Sequence, residues 1–301
     1  MMIAIGIDAG GTATVAAVSR NGTAVGEASG PAANATTAGV AASAATIVAT
    51  MRAALGIDEP DSVHAGVAGA GRPEVARELK AAIARAFPAA RVVVSDDASI
   101  ALRGAIASGP GVILIAGTGS VAYAEHADGS VLVGGHGHLL GDEGSAFAVG
   151  MAAVRLYSRV LDGRAAPDET SDLVARALRA PDRAALHTAI YDRQLDPAAI
   201  AALAPSIVAF AGKGNRTSTK IVQDAARDLG DLINAALRLA KLTGASPPIA
   251  LAGGLLRENS LLTFLLETRI TGDFTGSEIV RGGFEPVRGA LRLAEAAGAP
   301  A

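Results

Sequence analysis

One arrangement of residues occurs twice in this 301-residue chain and restricts its possible folds more than any other feature. Each copy consists of an apolar strand, a turn of Gly with Thr or Ser, a second strand and an X-Gly hairpin signal. The turns are Ala-Gly-Gly-Thr at 9–12 and Gly-Thr-Gly-Ser at 117–120. Unless the likeness of the two hairpins is accidental, it predicts two related domains that each open with antiparallel strands.

The residues around the two copies alternate between strand and helix patterns, which is typical of α/β domains. The first copy predicts strands at 3–8, 14–19 and 24–30, then helices at 37–55, 73–87 and 97–107 and strands at 62–68 and 91–95. The second predicts strands at 112–116, 121–125 and 131–134, helices from 144 to 241, a strand at 249–252 and a helix at 259–268. Hairpin turns are predicted at Asn21-Gly22 and Asp128-Gly129, and an exposed loop at 213–220.

Composition argues against several classes of protein. Hydrophobic residues make up 50% of the chain, more than one core accommodates, so two domains are expected. A net charge of −3, 3% aromatic residues and no basic block argue against nucleic-acid binding, and the lack of cysteine excludes disulfides and cysteine-ligated metals. Charged residues, polar residues and glycines interrupt every apolar stretch that would be long enough to span a membrane. The first residues contain Asp8 and have no basic flank, which is typical of a buried strand rather than a signal peptide. We therefore expect a cytoplasmic protein that binds neither nucleic acid nor membrane.

The two Gly-rich turns are suited to binding phosphate. Glycine lets the backbone approach an anion and present successive N–H groups, and Thr or Ser hydroxyls add donors. Neither turn is a Walker motif, and a single such turn is more often structural, but a pair that follows two buried strands favours a phosphate site. The prediction assigns the β-phosphate to Gly10, Gly11 and Thr12, and the γ-phosphate to Thr118, Gly119 and Ser120.

Three aspartates follow predicted strands, where α/β sheets place their ligands. Asp8 could hold Mg²⁺ beside a phosphate, usually through water, or could close the turn by accepting backbone hydrogen bonds. Of Asp96 and Asp97, one could take a proton from an attacking hydroxyl while the other caps the helix. Position alone does not separate the two.

Residues 134–145 (GGHGHLLGDEGS) form the densest group of potential ligands. His136 and His138 are two residues apart with no third ligand at a recognised interval, which argues against zinc. The acidic pair at 142–143 could be the first turn of the following helix, whereas its Gly-rich approach favours a loop packed against a ligand.

Two further positions have both a structural and a functional interpretation. Asn34 precedes the first helix and is either a turn or cap residue or a ligand contact. Gly253-Gly254 is either a plain connection between a strand and a helix or a place where a nucleoside can lie against backbone without side chains.

Taken in order, these motifs resemble the N-acetylglucosamine kinase branch of the BadF/BadG/BcrA/BcrD ATPase-like proteins, within the actin–hexokinase–heat-shock-chaperone superfamily. The resemblance spans the whole chain and depends on residues 6–12 (GIDAGGT), 115–120 (IAGTGS), 134–145 and the adenosine motif at 251–254 (LAGG). It implies an α/β fold of two actin/hexokinase (ribonuclease H-like) domains, with ATP and sugar in the interdomain cleft. The expected domains are 1–112, completed by a C-terminal helix at 286–301, and 113–285 with a helical insertion.

The resemblance also implies roles for individual residues. Asp97 matches the catalytic base, which contacts the sugar and takes the proton of its 6-hydroxyl. Asn34 and Asp142 match positions that hold sugar hydroxyls. Gly135 and His136 fall on the wall near the sugar 2-substituent, where relatives often have Trp in place of His136.

The implied reaction is transfer of the ATP γ-phosphoryl group to a sugar 6-hydroxyl, with Mg²⁺ as cofactor. Because Val121 and His136 depart from the pattern of the relatives, the sugar stays open among N-acetylglucosamine, which is preferred, glucosamine and glucose. A sugar-responsive repressor would need a DNA-binding domain before Asp8, and a radical-enzyme activator would need cysteines. A nucleotide or sugar sensor is the non-enzyme alternative. A homodimer is expected, although the sequence does not determine the oligomeric state.

Overall fold

The computed structural model describes residues 1–192, 196–282 and 284–298. These residues divide into two compact units, one made of residues 1–109 with those from 281 onward, the other of residues 110–280. Each unit has its own five-stranded sheet and its own helices. The fold is α/β, as the sequence predicts.

The first unit is built on strands β1 Ile3–Ala9, β2 Ala13–Arg20, β3 Thr23–Pro31, β4 Ser62–Val67 and β5 Arg91–Ser95. They lie in the order β3-β2-β1-β4-β5, with β1 antiparallel to β2 and parallel to β4. The predicted hairpin turn is confirmed, because Asn21 and Gly22 have φ of 48° and 78°, the left-handed values that Asn-Gly tolerates.

Four helices belong to this unit: α1 Val40–Leu55, α2 Pro73–Ala86, α3 Asp97–Ala105 and, after the second unit, α11 Pro286–Gly298. α1 begins at Val40 rather than at residue 37, because the residues before it form a separate turn. α2 begins at a proline, whose missing N–H costs nothing in a first turn.

α11 packs against β1 and α3 at backbone distance. A Cβ at Gly6 would lie 2.1 Å from the backbone nitrogen of Leu291, and a Cβ at Gly289 would lie 2.0 Å from the carbonyl oxygen of Ile100. Both positions therefore require glycine. The apolar side chains of α11 cover one face of the sheet, where Ala4 and Ala17 are fully buried.

The second unit repeats this sheet. Its strands are β6 Gly111–Ala116, β7 Ser120–His126, β8 Gly129–Gly134, β9 Ile249–Ala252 and β10 Ile279–Arg281, in the order β10-β9-β6-β7-β8. β6 is antiparallel to β7 and parallel to β9, as β1 is to β2 and β4. The predicted turn Asp128-Gly129 is wrong by one residue, because Gly129 already pairs with His126. Sequence analysis missed β10, whose three residues are too few to show an alternating pattern.

The helices of the second unit are α4 Ala146–Leu161, α5 Glu169–Leu178, α6 Arg183–His187, α7 Pro197–Ala201, α8 Ala204–Gly212, α9 Arg216–Leu239 and α10 Leu261–Asp273, with a π-helical turn at Thr188–Asp192. The loop predicted at 213–220 is much shorter, because α9 begins at Arg216. Asn215 caps α9 by accepting from the N–H of Ser218 at 2.9 Å, and it accepts from the hydroxyl of Thr170 at 3.2 Å. This loop therefore fastens the start of α9 to α5.

No single helix in the described ranges is long and apolar enough to cross a membrane. The segments Pro197–Gly212 and Arg216–Leu239 meet the length and composition criteria only as a pair bent by 113°. Many of their apolar side chains are buried in the core of the second unit.

Candidate active site

The first Gly-rich turn joins β1 to β2 and is open to solvent. The N–H of Gly10 donates to the carbonyl of Ala13 at 3.0 Å, and the carbonyl of Gly10 accepts from the N–H of Ala33 at 3.0 Å. Among non-neighbouring atoms, a Cβ at Gly10 would come no closer than 3.6 Å and one at Gly11 no closer than 3.9 Å. Neither glycine has a positive φ. The fold itself does not require glycine here, and the open backbone leaves room for a ligand to approach it closely.

Asn34 lies beside this turn. Its Oδ1 accepts from the N–H of Thr36 at 2.8 Å, which is an Asx turn. A Cβ at Gly11 would lie 3.9 Å from the Nδ2 of Asn34, so the amide nitrogen is close to the turn. The turn interpretation of Asn34 is confirmed, and its contact with a sugar stays a prediction.

Asp8 at the end of β1 and Asp97 at the start of α3 are both partly buried. Burial raises the pKa of Asp8. The pKa of Asp97 is raised to about 7, chiefly by burial, then by the charge of Asp96 and its side-chain hydrogen bond, and by the charge of Asp8. Asp96 caps α3 by accepting from the N–H of Ala98 at 3.1 Å. The two adjacent aspartates thus differ, since Asp96 has the capping role and Asp97 titrates near neutral pH.

Two residues that sequence analysis missed lie next to these carboxyls. His64 on β4 and Ser95 at the end of β5 belong to neighbouring parallel strands. The Nε2 of His64 is 3.0 Å from the Oγ of Ser95, and that hydroxyl donates to the carbonyl of Asp96 at 3.1 Å. The feature that could have pointed to His64 is a histidine in the middle of an apolar strand, β4, whose residues are all buried.

The second Gly-rich turn, residues 117–120, is bound to the start of α4. The N–H of Ala146 donates to the carbonyl of Gly117 at 2.9 Å, and the N–H of Phe147 donates to that of Thr118 at 3.2 Å. The side chain of Thr118 nevertheless stays exposed. The first N–H groups of the helix therefore hold the turn.

Ser120 and Asp142 connect this turn to the acidic segment. The N–H of Ser120 donates to the Oδ1 of Asp142 at 3.1 Å, and its hydroxyl donates to the carbonyl of Glu143 at 2.7 Å. Asp142 is 9% exposed and has a left-handed φ of 62°. A Cβ at Gly119 would lie 2.7 Å from the Asp142 carboxylate, so a larger residue there would push Asp142 away from Ser120. Both donors of Ser120 point at residues 142–143, and its contact with a γ-phosphate stays a prediction.

The acidic pair at 142–143 precedes α4 rather than forming its first turn. α4 begins at Ala146, and its N-cap Ser145 accepts from the N–H of Ala148 at 3.2 Å. The first-turn interpretation of this pair is therefore wrong, and the packing of this loop against a ligand stays a prediction. Within the described residues, no group of three or more His, Cys, Asp or Glu side chains could hold a metal ion.

The segment between β8 and the acidic pair is mostly exposed. A Cβ at Gly135 would lie 3.2 Å from the Cγ2 of Val121, so these two residues share one wall. His136 is exposed, and the ring of His138 packs against Phe147 with centroids 5.0 Å apart. The wall predicted for the 2-substituent is thus apolar at Val121 and polar at His136.

The turn after β9 contacts the end of β6, next to the second Gly-rich turn. A Cβ at Gly253 would lie 2.2 Å from the carbonyl of Ala116, and Gly253 has a φ of 101°, so only glycine fits. The N–H of Leu255 donates to the same carbonyl at 3.1 Å. Gly254 is exposed, with nothing within 4 Å of a Cβ.

A cavity of about 370 Å³ opens beside Gly254. Its lining includes Val208 and Gly212 of α8 and Leu255 and Arg257 after β9. A larger cavity of about 590 Å³ lies around Thr243 and contains none of the predicted site residues. The smaller cavity is the one that adjoins the predicted adenosine motif.

Comparison with known proteins identifies the family. The fold and motifs define a sugar kinase-like α/β protein, and a solved structure of a candidate N-acetylglucosamine kinase from Chromobacterium violaceum matches it with a TM-score of 0.75 at 27% identity, covering 98% of this chain and 99% of that one. The sequence pattern of the BadF/BadG/BcrA/BcrD ATPase family matches residues 5–294. The chain belongs to this family.

Two curated relatives are similar to the chain. An N-acetyl-D-glucosamine kinase of Dictyostelium discoideum is 27% identical over 310 residues, 97% of each chain. An N-acetylmuramic acid/N-acetylglucosamine kinase of Clostridium acetobutylicum is 28% identical over 207 residues, 68% of each chain. These matches and the family agree with the resemblance that the motifs predict.

Proposed function

We propose that this protein is an ATP-dependent kinase for the 6-hydroxyl of an amino sugar, with N-acetylglucosamine as the first candidate. The observation that carries the proposal is Asp97, a partly buried carboxyl at the start of α3 with a pKa of about 7. A general base is most effective when its pKa lies near the working pH. The family and the named activities of the two relatives support the same class of reaction.

In the proposed step, Asp97 accepts the proton of the sugar 6-hydroxyl as that oxygen attacks the γ-phosphorus of ATP. The bond from the γ-phosphorus to the bridging oxygen breaks, and ADP leaves with its electron pair. Little covalent work falls to the protein in such a transfer, so positioning dominates. Asp96 supports the position of Asp97 by capping α3.

The surroundings of Asp8 suit a magnesium ion. Asp8 is close enough to Asp97 for its charge to raise the pKa of Asp97, and burial raises the pKa of Asp8 itself. A cation would relieve both effects, and carboxylate oxygen is the ligand that Mg²⁺ prefers. We assign Asp8 as the residue that holds it, through water in the simplest arrangement. Bound there, the ion would neutralise negative charge on the transferred phosphate.

ATP is assigned to both Gly-rich turns and to the cavity beside Gly254. The open backbone at Gly10 to Thr12 suits the β-phosphate. Exposed Thr118, with Gly119, suits the γ-phosphate, and Ser120 would keep that turn in shape through Asp142. The cavity has apolar side chains at Val208 and Leu255, which suit a nucleobase.

The sugar is assigned to Asn34 and Asp142 for its hydroxyls and to Gly135 and His136 for its 2-substituent. Val121 beside Gly135 would give an acetamido methyl group an apolar contact, whereas the ammonium of glucosamine would be poorly solvated there. This contact favours N-acetylglucosamine. Glucosamine or a broader set of hexoses is the alternative.

We extend the proposal to a homodimer in the cytoplasm. Leu132 on β8 and Leu139 and Leu140 after it are 45%, 85% and 82% exposed, which suits an interface with a second copy. The lack of cysteine fits a reducing compartment. Light scattering of the purified protein should give twice the chain mass of 29.8 kDa, and the monomer mass would reject the dimer.

The deciding experiment is ADP release by the purified protein with ATP and Mg²⁺ in the presence of N-acetylglucosamine, glucosamine or glucose. We expect the highest kcat/KM with N-acetylglucosamine and a 6-phosphate product by NMR. No stimulation by any sugar would reject the kinase proposal. Calorimetric sugar or ATP binding without turnover would favour the sensor alternative.

A further inference from the structure

His64 is a buried imidazole for which the proposed reaction has no use. All five histidines lie within the described residues, and His64, at 7% exposed, is the buried one. Burying a polar ring in a sheet is unfavourable unless hydrogen bonds compensate. An aliphatic side chain would fill the same volume without that cost, so the presence of an imidazole calls for a reason.

The hydrogen bonds of Ser95 fix the direction of a short chain. A hydroxyl has one proton, and Ser95 donates it to the carbonyl of Asp96 at 3.1 Å. The Nε2 of His64 is 3.0 Å from the hydroxyl oxygen of Ser95, and we assign its N–H as the donor, because Ser95 has no second proton to give. The chain runs from the imidazole through the hydroxyl to the backbone of Asp96.

This chain ends on the peptide group that precedes Asp97. The carbonyl of Asp96 also accepts from the N–H of Ser99 at 3.2 Å, while the carboxylate of Asp96 accepts from the N–H of Ala98 at 3.1 Å. The first turn of α3 holds Asp96 from the helix side, and Ser95 holds it from the sheet side. The direction in which Asp97 leaves the backbone depends on both.

The packing of α3 on β4 reinforces this arrangement. Gly66 lies two residues after His64 and on the same face of the strand. A Cβ at Gly66 would lie 2.4 Å from Ile100 of α3, so the helix sits directly on the strand. Contact with Ile100 at Gly66 therefore fixes how closely the helix approaches the strand, and the bond between His64 and Ser95 lies next to the first residues of the helix.

We propose that His64 is a positioning residue for the phosphoryl transfer, which acts through Ser95 and the Asp96 carbonyl to orient the Asp97 carboxyl. The inference rests on the proposed function, since Asp97 is the base in that reaction. The inference adds His64 and Ser95 to the residues needed for the reaction, although the proposed function assigns neither of them to ATP or to the sugar.

The test compares replacements of similar size that differ in hydrogen bonding. His64→Gln keeps an N–H donor near the position of Nε2, whereas His64→Leu keeps the volume and loses the donor. We expect His64→Leu to lower kcat by on the order of 10- to 100-fold with unchanged KM for ATP and sugar, as a misdirected base would. His64→Gln should recover most of the loss. Equal losses in Gln and Leu variants, or wild-type kcat in His64→Leu, would overturn the inference.

Ser95 provides a second route if His64→Leu does not fold. Ser95→Ala removes the middle of the chain and should also lower kcat, whereas Ser95→Thr keeps the hydroxyl and should retain it. A purely structural role would lower the urea midpoint of Ser95→Ala without changing the kcat of its folded fraction, and that result rejects the proposal. The two failures are distinguishable, because an inactive wild-type protein would reject the kinase function itself.

Discussion

The two Gly-rich turns occupy equivalent positions, each after the first strand of its sheet, yet they are held very differently. In the first turn Gly10 donates to Ala13 and accepts from Ala33, while Gly11 and Thr12 stay exposed. The second is tied to residues 142–147 by four hydrogen bonds. The same supersecondary unit has thus become an open loop in one copy and a fixed one in the other.

The carboxyl groups in the units of the two turns also differ in their surroundings. The open turn lies in the unit that contains Asp8 and Asp97, two carboxyls whose pKa burial raises. Beside the fixed turn, the carboxylate of Asp142 accepts a backbone hydrogen bond from Ser120. Donors that are already oriented need no reorganisation when charge develops on a phosphate. The first turn thus shares its unit with two carboxyls of raised pKa, whereas the second turn is held in place by its own hydrogen bonds.

The largest expected effect removes the base from the first unit. Asp97→Asn should lower kcat by about 10²- to 10⁴-fold with ATP binding kept, because an amide cannot accept the proton. Stopped-time ADP assays and calorimetry measure the two quantities. Asp96→Asn is the matched comparison, since its amide oxygen can still accept from the N–H of Ala98. It removes a charge that raises the pKa of Asp97 but keeps the base, so it should lose much less activity than Asp97→Asn. Full turnover in Asp97→Asn would refute the assignment.

A second prediction concerns pH and the stability of the first unit. The pKa of Asp97 is raised to about 7 in the folded chain from 3.8, so the folded state holds this proton more tightly than the unfolded state. Its contribution to stability is complete below pH 4 and is lost as pH rises through about 7. The free energy of unfolding should fall by roughly 2 kcal/mol between pH 5 and pH 8 from this group. Urea titrations should show a smaller fall in Asp97→Asn, and identical slopes would contradict the shift.

A third prediction compares a glycine of each turn directly. Gly119→Ala places a methyl group 2.7 Å from the Asp142 carboxylate and should cost about 1–3 kcal/mol of stability. Gly11→Ala meets no atom closer than 3.9 Å and should change stability by less than about 0.5 kcal/mol. Its KM for ATP should still rise, because the methyl group projects toward the assigned phosphate position. Equal unfolding midpoints for the two variants would show that the turns are not held differently.

Local patterns allowed much of the fold to be predicted. Strands β1, β2 and β6 are continuous apolar runs, and turn signals bound them, so their positions follow from residues close in sequence. That one of Asp96 and Asp97 caps α3 follows from their place at the start of a helix, and the structure shows that the cap is Asp96. The error at Asp128-Gly129 has a local cause too, since an X-Gly pair marks a hairpin but does not fix its register.

Contacts between distant residues were outside the reach of such patterns. The bond from Ser120 to Asp142 joins residues 22 apart, and that from His64 to Ser95 joins residues 31 apart. Nothing near Ser120 in the sequence indicates that both of its donors are already engaged. The motifs predicted which segments matter, and the three-dimensional packing decides which side chains in them are available to a ligand.

The return of α11 to the first sheet has a consequence for how the protein is made. During synthesis on the ribosome β1 to β5 emerge early, but the helix that covers Ala4 and Ala17 is translated only after the whole second unit. The second unit is continuous from residue 110 to 280 and has all its strands before then. We expect the second unit to become protease-resistant first in the nascent chain, while the sheet of the first unit keeps an uncovered apolar face until α11 is made.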